Sequence, residues 1–146
     1  MKKTIASLMC LAVLGLTSTH VAAQQTSRLL VEFQGPGGHS NADYGRTSAL
    51  HAAGRSIERL QSAGLPSGSY QLTGLSGGNS VNSLASRARY EVLLTAADAT
   101  ALQALVVQVT ATVKTGVDAE NTFRGVKEGD LVAGAPANIR YTVTPQ

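Results

Sequence analysis

The chain has 146 residues, a formal charge of +3 and one cysteine, which leaves room for one domain. Cys10, Lys2 and Lys3 all stand in the first ten residues, and subtracting the two lysines lowers the charge from +3 to about +1 in a remainder with no disulfide, thiol nucleophile or thiolate metal site. Few aromatics, no tryptophan and arginines dispersed among acids leave no basic patch and no stacking platform, so nucleic acid is set aside as a partner.

Met1-Lys2-Lys3 is a short positive start, Ile5 to Leu16 an uncharged and mostly apolar run, and Val21-Ala22-Ala23 a small-residue stretch before Gln24. That is the layout of a secretory signal peptide over residues 1–23; the apolar run is short for a bilayer span, which disfavours the rival reading, an uncleaved anchor. The expectation is a secreted or periplasmic domain over residues 24–146 that does not bind membrane after cleavage. About 120 residues can bury one modest core without disulfides.

Arg28 to Gln34 places Leu29, Val31 and Phe33 on one face and Arg28, Glu32 and Gln34 on the other, the period of a half-buried strand. Gly35 to Arg46, GPGGHSNADYGR, cannot continue a strand or a helix with four glycines and a proline, and it holds one histidine, His39, in a loop. From Thr47 to Gln61 the period changes: Leu50, Ala53, Ile57 and Leu60 recur as on one helix face, with Asn41 or Asp43 as candidate caps and Gly64 and Pro66 as the stop. His51, Arg55 and Glu58 fall on the opposite, solvated face.

Ser69 to Leu75 reads as a second strand, Ser76-Gly77-Gly78-Asn79-Ser80 as a turn, and Leu84 to Thr95 as a third strand with Ala88, Tyr90, Val92 and Leu94 inward. Thr95 and Asp98 suggest a capping box for a helix over Ala97 to Val113 with Leu102, Leu105, Val106, Val109 and Val113 as its stripe. Residues 114–137, polar and glycine-rich, read as a long loop, and Ile139 to Thr144 as the last strand. The order gives an α+β fold, a two-layer ferredoxin-like βαββαβ sandwich with two helices on one face of a four-stranded antiparallel sheet.

Only His39 and His51 remain as histidines after residue 23, and the carboxylates are scattered. There is no HExxH, no nucleophile elbow and no phosphate loop at Gly74 to Gly78, so no complete catalytic constellation and no metal or cofactor site is expected. His39, in a loop where Gly35, Gly37 and Gly38 let backbone approach a ligand, either bonds the backbone and faces water or presents its imidazole. Asn82, after Gly77 and Gly78, either forms a turn or reaches a substrate oxygen with its amide.

GPGGHSNADYGRTSALHAAGR followed by LSGGNSVNSLASRARYEVLLT resembles the dimerisation (lid) domain of the dinuclear zinc exopeptidases, the family of aminoacylase, glutamate carboxypeptidase and succinyl-diaminopimelate desuccinylase. The resemblance covers Leu29 to Val113. It implies the same βαββαβ fold and a homodimer formed by edge strands and helices across a two-fold axis. It implies too that His39 matches the lid histidine that reaches the partner's active site to stabilise an oxyanion, and Asn82 the asparagine that contacts substrate. The family's carboxylate-binding arginine falls on Thr95, whose hydroxyl cannot replace a guanidinium. The family's zinc domain has no counterpart in these residues, although Gly129 to Pro136 resembles the segment returning to it. The expected role is a non-catalytic module acting by self-association or by binding a partner or ligand. The alternatives are a lid supplying His39 and Asn82 in trans to a separate zinc peptidase or amidohydrolase, and a remnant of a decayed peptidase.

Overall fold

The structure, a computed structural model, describes residues 23–146. Apart from Ala23, the expected signal peptide lies outside the described residues. The alternating Leu29, Val31 and Phe33, all three buried, build strand β1 (Gln25–Gln34). There follow the two-residue β2 (Gly38–His39), helix α1 (Ala49–Ser62), β3 (Tyr70–Gly77), the two-residue β4 (Ser83–Leu84), β5 (Arg87–Ala96), helix α2 (Ala99–Phe123), the short β6 (Leu131–Val132) and β7 (Ala135–Pro136), and β8 (Arg140–Pro145).

The four longer strands form one sheet in the order β3-β5-β1-β8, every pair antiparallel. This is the ferredoxin-like arrangement, with the first strand in the interior of the sheet and the last at one edge. Both helices pack on one face. Phe33, Tyr90, Val92 and Leu94 of the sheet meet Ala52, Ala53 and Leu60 of α1 and Leu105, Val109 and Val113 of α2 in a single cluster. The other face, carrying Arg28, Glu32, Gln34, Arg87 and Arg89, is left open. No helix among the described residues is long and apolar enough to cross a membrane.

The structure corrects the sequence reading at several points. The long loop expected over residues 114–137 is helix through Phe123, and its buried stripe continues past Val113 to Gly116, Val117 and Glu120. Only the rest of that stretch is irregular, apart from the β6–β7 ladder. Of the expected capping box Asp98 alone takes part, accepting the Ala101 N–H at 2.8 Å, while Thr95 sits in β5 opposite Thr26. Helix α1 is capped by Ser48, not by Asn41 or Asp43. Its buried face is Ala49, Ala52, Ala53, Ser56 and Leu60, leaving Leu50 exposed, because small residues let α2 approach closely. The third strand begins at Arg87, since Ser83–Leu84 is drawn away to pair with β2.

At the helix crossing Ser56 donates to the Ala53 carbonyl at 2.8 Å, so the buried Tyr90 hydroxyl, 2.8 Å away, donates to Ser56 Oγ. Burial pushes the Tyr90 phenol up to about 12, opposed by the Ser56 hydroxyl, which can turn to donate once the phenol is ionised. The unfolded phenol titrates near 10, so this contribution to stability is complete below pH 10 and is lost as pH rises from 10 through 12. The loss is on the order of 2–3 kcal/mol. Denaturant midpoints measured between pH 9 and pH 12 should show this fall, and Tyr90→Phe should remove the part due to the phenol.

Candidate functional site

β1 hands the chain to the glycine loop through Gly35, whose N–H donates to the Ser86 carbonyl at 2.9 Å. Gly37 has φ +68°, and a Cβ there would stand 2.8 Å from Ser86 Cβ. Gly38 has φ +149°, and a Cβ there would meet the Asp43 side chain at 2.6 Å. Glycine at 38 therefore lets the Asp43 carboxylate lie against the backbone. There it accepts the His39 N–H at 2.7 Å, while the Asp43 N–H returns to the His39 carbonyl at 2.9 Å and Arg46 pairs with Asp43 at 2.7 Å.

This clamp sets His39 against β4. The pairs Gly38↔Leu84 and His39↔Ser83 and the Ser40 N–H bond to the Asn82 carbonyl at 2.9 Å join the two glycine-rich loops. His39 and Asn82, singled out separately in the sequence, thus meet. Asn82 Nδ2 lies 3.3 Å from His39 Nε2, and Asn82 Oδ1 accepts from the Ser80 hydroxyl at 2.9 Å. His39 Nδ1 accepts the Asn41 N–H at 3.2 Å. A neutral ring with Nδ1 accepting carries its proton on Nε2, and the Asn82 amide answers it by a half-turn that presents oxygen to His39 and nitrogen to Ser80. That Nε2 proton faces Asn82, so a ligand oxygen would take it by displacing the Asn82 contact.

His39 is exposed, and among the described residues no carboxylate pairs with its ring: Asp43 is committed to backbone and to Arg46. The arrangement lets the pair bind or polarise an oxygen. Among the described residues no group of three or more histidines, cysteines or carboxylates could hold a metal.

Gly35 sits where a Cβ would meet Ile139 Cδ1 at 2.5 Å, and so belongs to the join between β1 and β8. Gly77 and Gly78 lie at the end of β3 and border the open sheet face, not the His39 pair. Thr95, matched to the family's arginine, pairs with Thr26 at the start of β1, whereas His39 follows its end. From Arg87 to Thr95 the strand rises roughly 26 Å, so within one chain these two positions serve opposite ends of the sheet. Asp43, a candidate helix cap by its sequence position, and Ser80, part of the expected turn, instead hold His39 and Asn82. An acid four residues after a histidine that follows two glycines is the signal for the first.

His51, placed on a solvated face, lies 3.8 Å from Glu120, a fully buried carboxylate that also holds Arg55 at 2.9 Å and Arg124 at 3.3 Å. This cluster ties α2 to the first turns of α1 and does not touch His39.

A family model described as the peptidase dimerisation domain matches residues 24–120. No curated protein sequence matches the chain. Among solved structures, an amidase of the hydantoinase/carbamoylase family from Burkholderia ambifaria is similar at TM-score 0.67 and 14% identity, over 86% of this chain and 28% of that one. An aminobenzoyl-glutamate utilization protein from Klebsiella pneumoniae is similar at TM-score 0.61 and 17% identity, over 84% of this chain and 28% of that one. An aminopeptidase from Bacillus cereus is similar at TM-score 0.58 and 14% identity, over 85% and 30%. At such identities the likeness is one of fold, and the chain spans less than a third of each neighbour's length. With the fold, the glycine-bounded histidine and a match over most of the described residues, the chain belongs to the peptidase dimerisation domain family.

Proposed function

We propose that this chain is a secreted or periplasmic, non-catalytic and metal-free module that works by self-association, its two copies meeting along β3 and α1 across a two-fold axis. The observation that carries this reading is the β3 edge. Tyr70 to Gly77 is eight residues of edge strand with no charge and no proline, and Leu75 on it is half-exposed. Edges that must stay single are usually blunted by lysine, proline or brevity, as β8 is by Arg140 and Pro145. Joining two β3 strands extends the sheet to eight strands and brings α1 beside its mate.

Sedimentation of the protein lacking residues 1–23 should show a dimer at micromolar concentration, and Leu75→Lys should raise its dissociation constant at least about tenfold. A strict monomer at high micromolar concentration would refute the proposal.

A second reading is favoured by the preorganised pair itself. His39, exposed with its Nε2 beside the Asn82 amide, is placed to share that pair with an oxygen on another chain; Tyr44 and Val81, exposed in the same two loops, offer apolar contact around it. In this reading the module completes the active site of a separate zinc peptidase or amidohydrolase. His39→Ala should then abolish stimulation of such an enzyme, a loss of about 10²-fold for one oxyanion donor, while leaving thermal stability and self-association unchanged. Unchanged stimulation would count against it.

A further inference from the structure

The face of the sheet away from the helices contains a depression of about 680 Å³ at the end where β1 and β5 approach Gly77 and Gly78. Cross-strand register fixes what lines it. Gln34 on β1 lies between Arg87 on β5 and Arg140 on β8; one step along, Glu32 lies between Arg89 and Thr142. All three arginines are exposed. Arg87 and Arg89 are roughly 7 Å apart along their strand, and Arg87 and Arg140 roughly 10 Å apart across two strand spacings.

Three guanidiniums within that reach repel one another and add nothing to the fold. Elsewhere the module's arginines other than Arg59, which stands alone in the last turn of α1, are matched: Arg28 with Glu91, Arg46 with Asp43, Arg55 and Arg124 with Glu120. Arg87, Arg89 and Arg140, by contrast, make no ion pair within 4.0 Å among the described residues. Glu32 is the one acid in the lining, which leaves the depression with a surplus of two positive charges, three arginines less one carboxylate. At its rim β3 closes on β5, Gly77 pairing with the buried Ala88 at a distance that leaves 2.9 Å between an added Cβ and Ala88 Cβ, and Ser76, opposite Arg89, joins the lining.

We propose that this depression binds a small polyanion carrying two or more carboxylate or phosphate groups. Planar guanidiniums with free forks grip such oxyanions in pairs. The volume suits a small molecule and is shallow for a folded partner. The Gln34 amide between Arg87 and Arg140 supplies a neutral donor at the centre, and the Glu32 carboxylate a place for one N–H of the ligand. This site does not include His39 or Asn82, and its three arginines lie on β5 and β8, not on the β3 edge.

Isothermal titration of the protein lacking residues 1–23, at low ionic strength, tests it with citrate, tripolyphosphate, acetate and a short aspartate peptide. Citrate or tripolyphosphate should bind with submillimolar affinity and acetate far more weakly; whichever of the two binds tighter identifies the ligand's groups as carboxylates or phosphates. Arg87→Gln with Arg140→Gln, and Arg140→Gln alone at the edge strand, should each weaken binding, the pair by at least about tenfold, with circular dichroism unchanged. Lys114→Gln, which removes an exposed cation on α2, should leave affinity unaltered. Equal losses from Lys114→Gln, or retained affinity in the double variant, would reduce the binding to general charge attraction and overturn the proposal. Absence of binding by both polyanions at millimolar concentration would overturn it as well, and the aspartate peptide binding far tighter than citrate would replace the small ligand by an acidic chain.

Discussion

Gly116→Val is expected to destabilise this domain by on the order of 3 kcal/mol or more, the range of severe overpacking in a core. α1 and α2 cross with almost nothing between them at this point. A Cβ at 116 would stand 2.6 Å from the Ser56 backbone nitrogen, 2.7 Å from Ser56 Cβ, and nearer still to Ser56 Cα. The obstacle is helix backbone, which cannot rotate aside as a side-chain tip would, so the helices must separate. Separation also breaks the chain of hydrogen bonds from Tyr90 through Ser56 to Ala53.

Gly116→Ala is the finer test, because alanine recovers about 0.5–1 kcal/mol of helix propensity against a clash that costs about 1–3 kcal/mol. The clash wins, and the variant should be less stable. Gly54 on α1 supplies the contrast: a Cβ there meets nothing within 4 Å. Gly54→Ala should stabilise by about 0.5–1 kcal/mol. Urea denaturation followed by circular dichroism decides both signs in one experiment, and a stabilised Gly116→Ala would show that the helices do not cross here as closely as described.

Glu120→Ala is expected to cost about 3–5 kcal/mol, the penalty for removing one partner of a buried ion cluster. The Glu120 carboxylate is wholly inaccessible and accepts the Ser48 N–H at 3.2 Å, besides holding Arg55 and Arg124. Its removal leaves a buried cap N–H unpaired at the start of α1 and two guanidiniums without their acid. Both guanidiniums also lie over the Phe123 ring, at 4.7 Å and 4.9 Å from its centroid, which limits their escape to water. Glu120→Gln keeps an acceptor for Ser48 and should lose less. Replacing Glu120, Arg55 and Arg124 together by apolar residues of similar volume should recover most of the loss, since no charge is then left unpartnered. A triple variant as unstable as Glu120→Ala would mean that the cluster's net attraction, and not the unpaired charge, sets the cost. These measurements follow urea midpoints at constant pH.

Both predictions fall on residues that local patterning hid. Val109 and Val113 announce an apolar stripe, but Lys114, Thr115 and Gly116 read as its end. Periodicity counts large apolar side chains, and at the crossing the useful side chain is none at all. Glu120 fails the same count because a carboxylate does not look like core. Its partner Arg55 lies 65 residues away, beyond the reach of any local pattern. The cap of α1 was hidden for a related reason. Asp43 is as good a cap by type as Ser48, but it is spent on the His39 backbone.

The His39 site was legible in part. Glycines that cannot sit in helix or strand marked both loops, and the spacing of the two motifs carried the family resemblance. That His39 and Asn82 touch, that Asp43 locks the one and Ser80 the other, and that Thr95 lies at the far end of the sheet all depend on strand register.

By itself the sequence determined the order of the four long strands and two helices, the inward faces of β1 and β5 and the two loops that hold His39 and Asn82, because a period of two or of 3.6 and the backbone demands of glycine are local properties. Only the tertiary structure decided where α2 ends, which helix residues are small by necessity, how a buried carboxylate is satisfied, and which arginines gather on the open face. Those depend on contacts between residues distant in the chain, where a charge or a missing side chain takes its meaning from its neighbour.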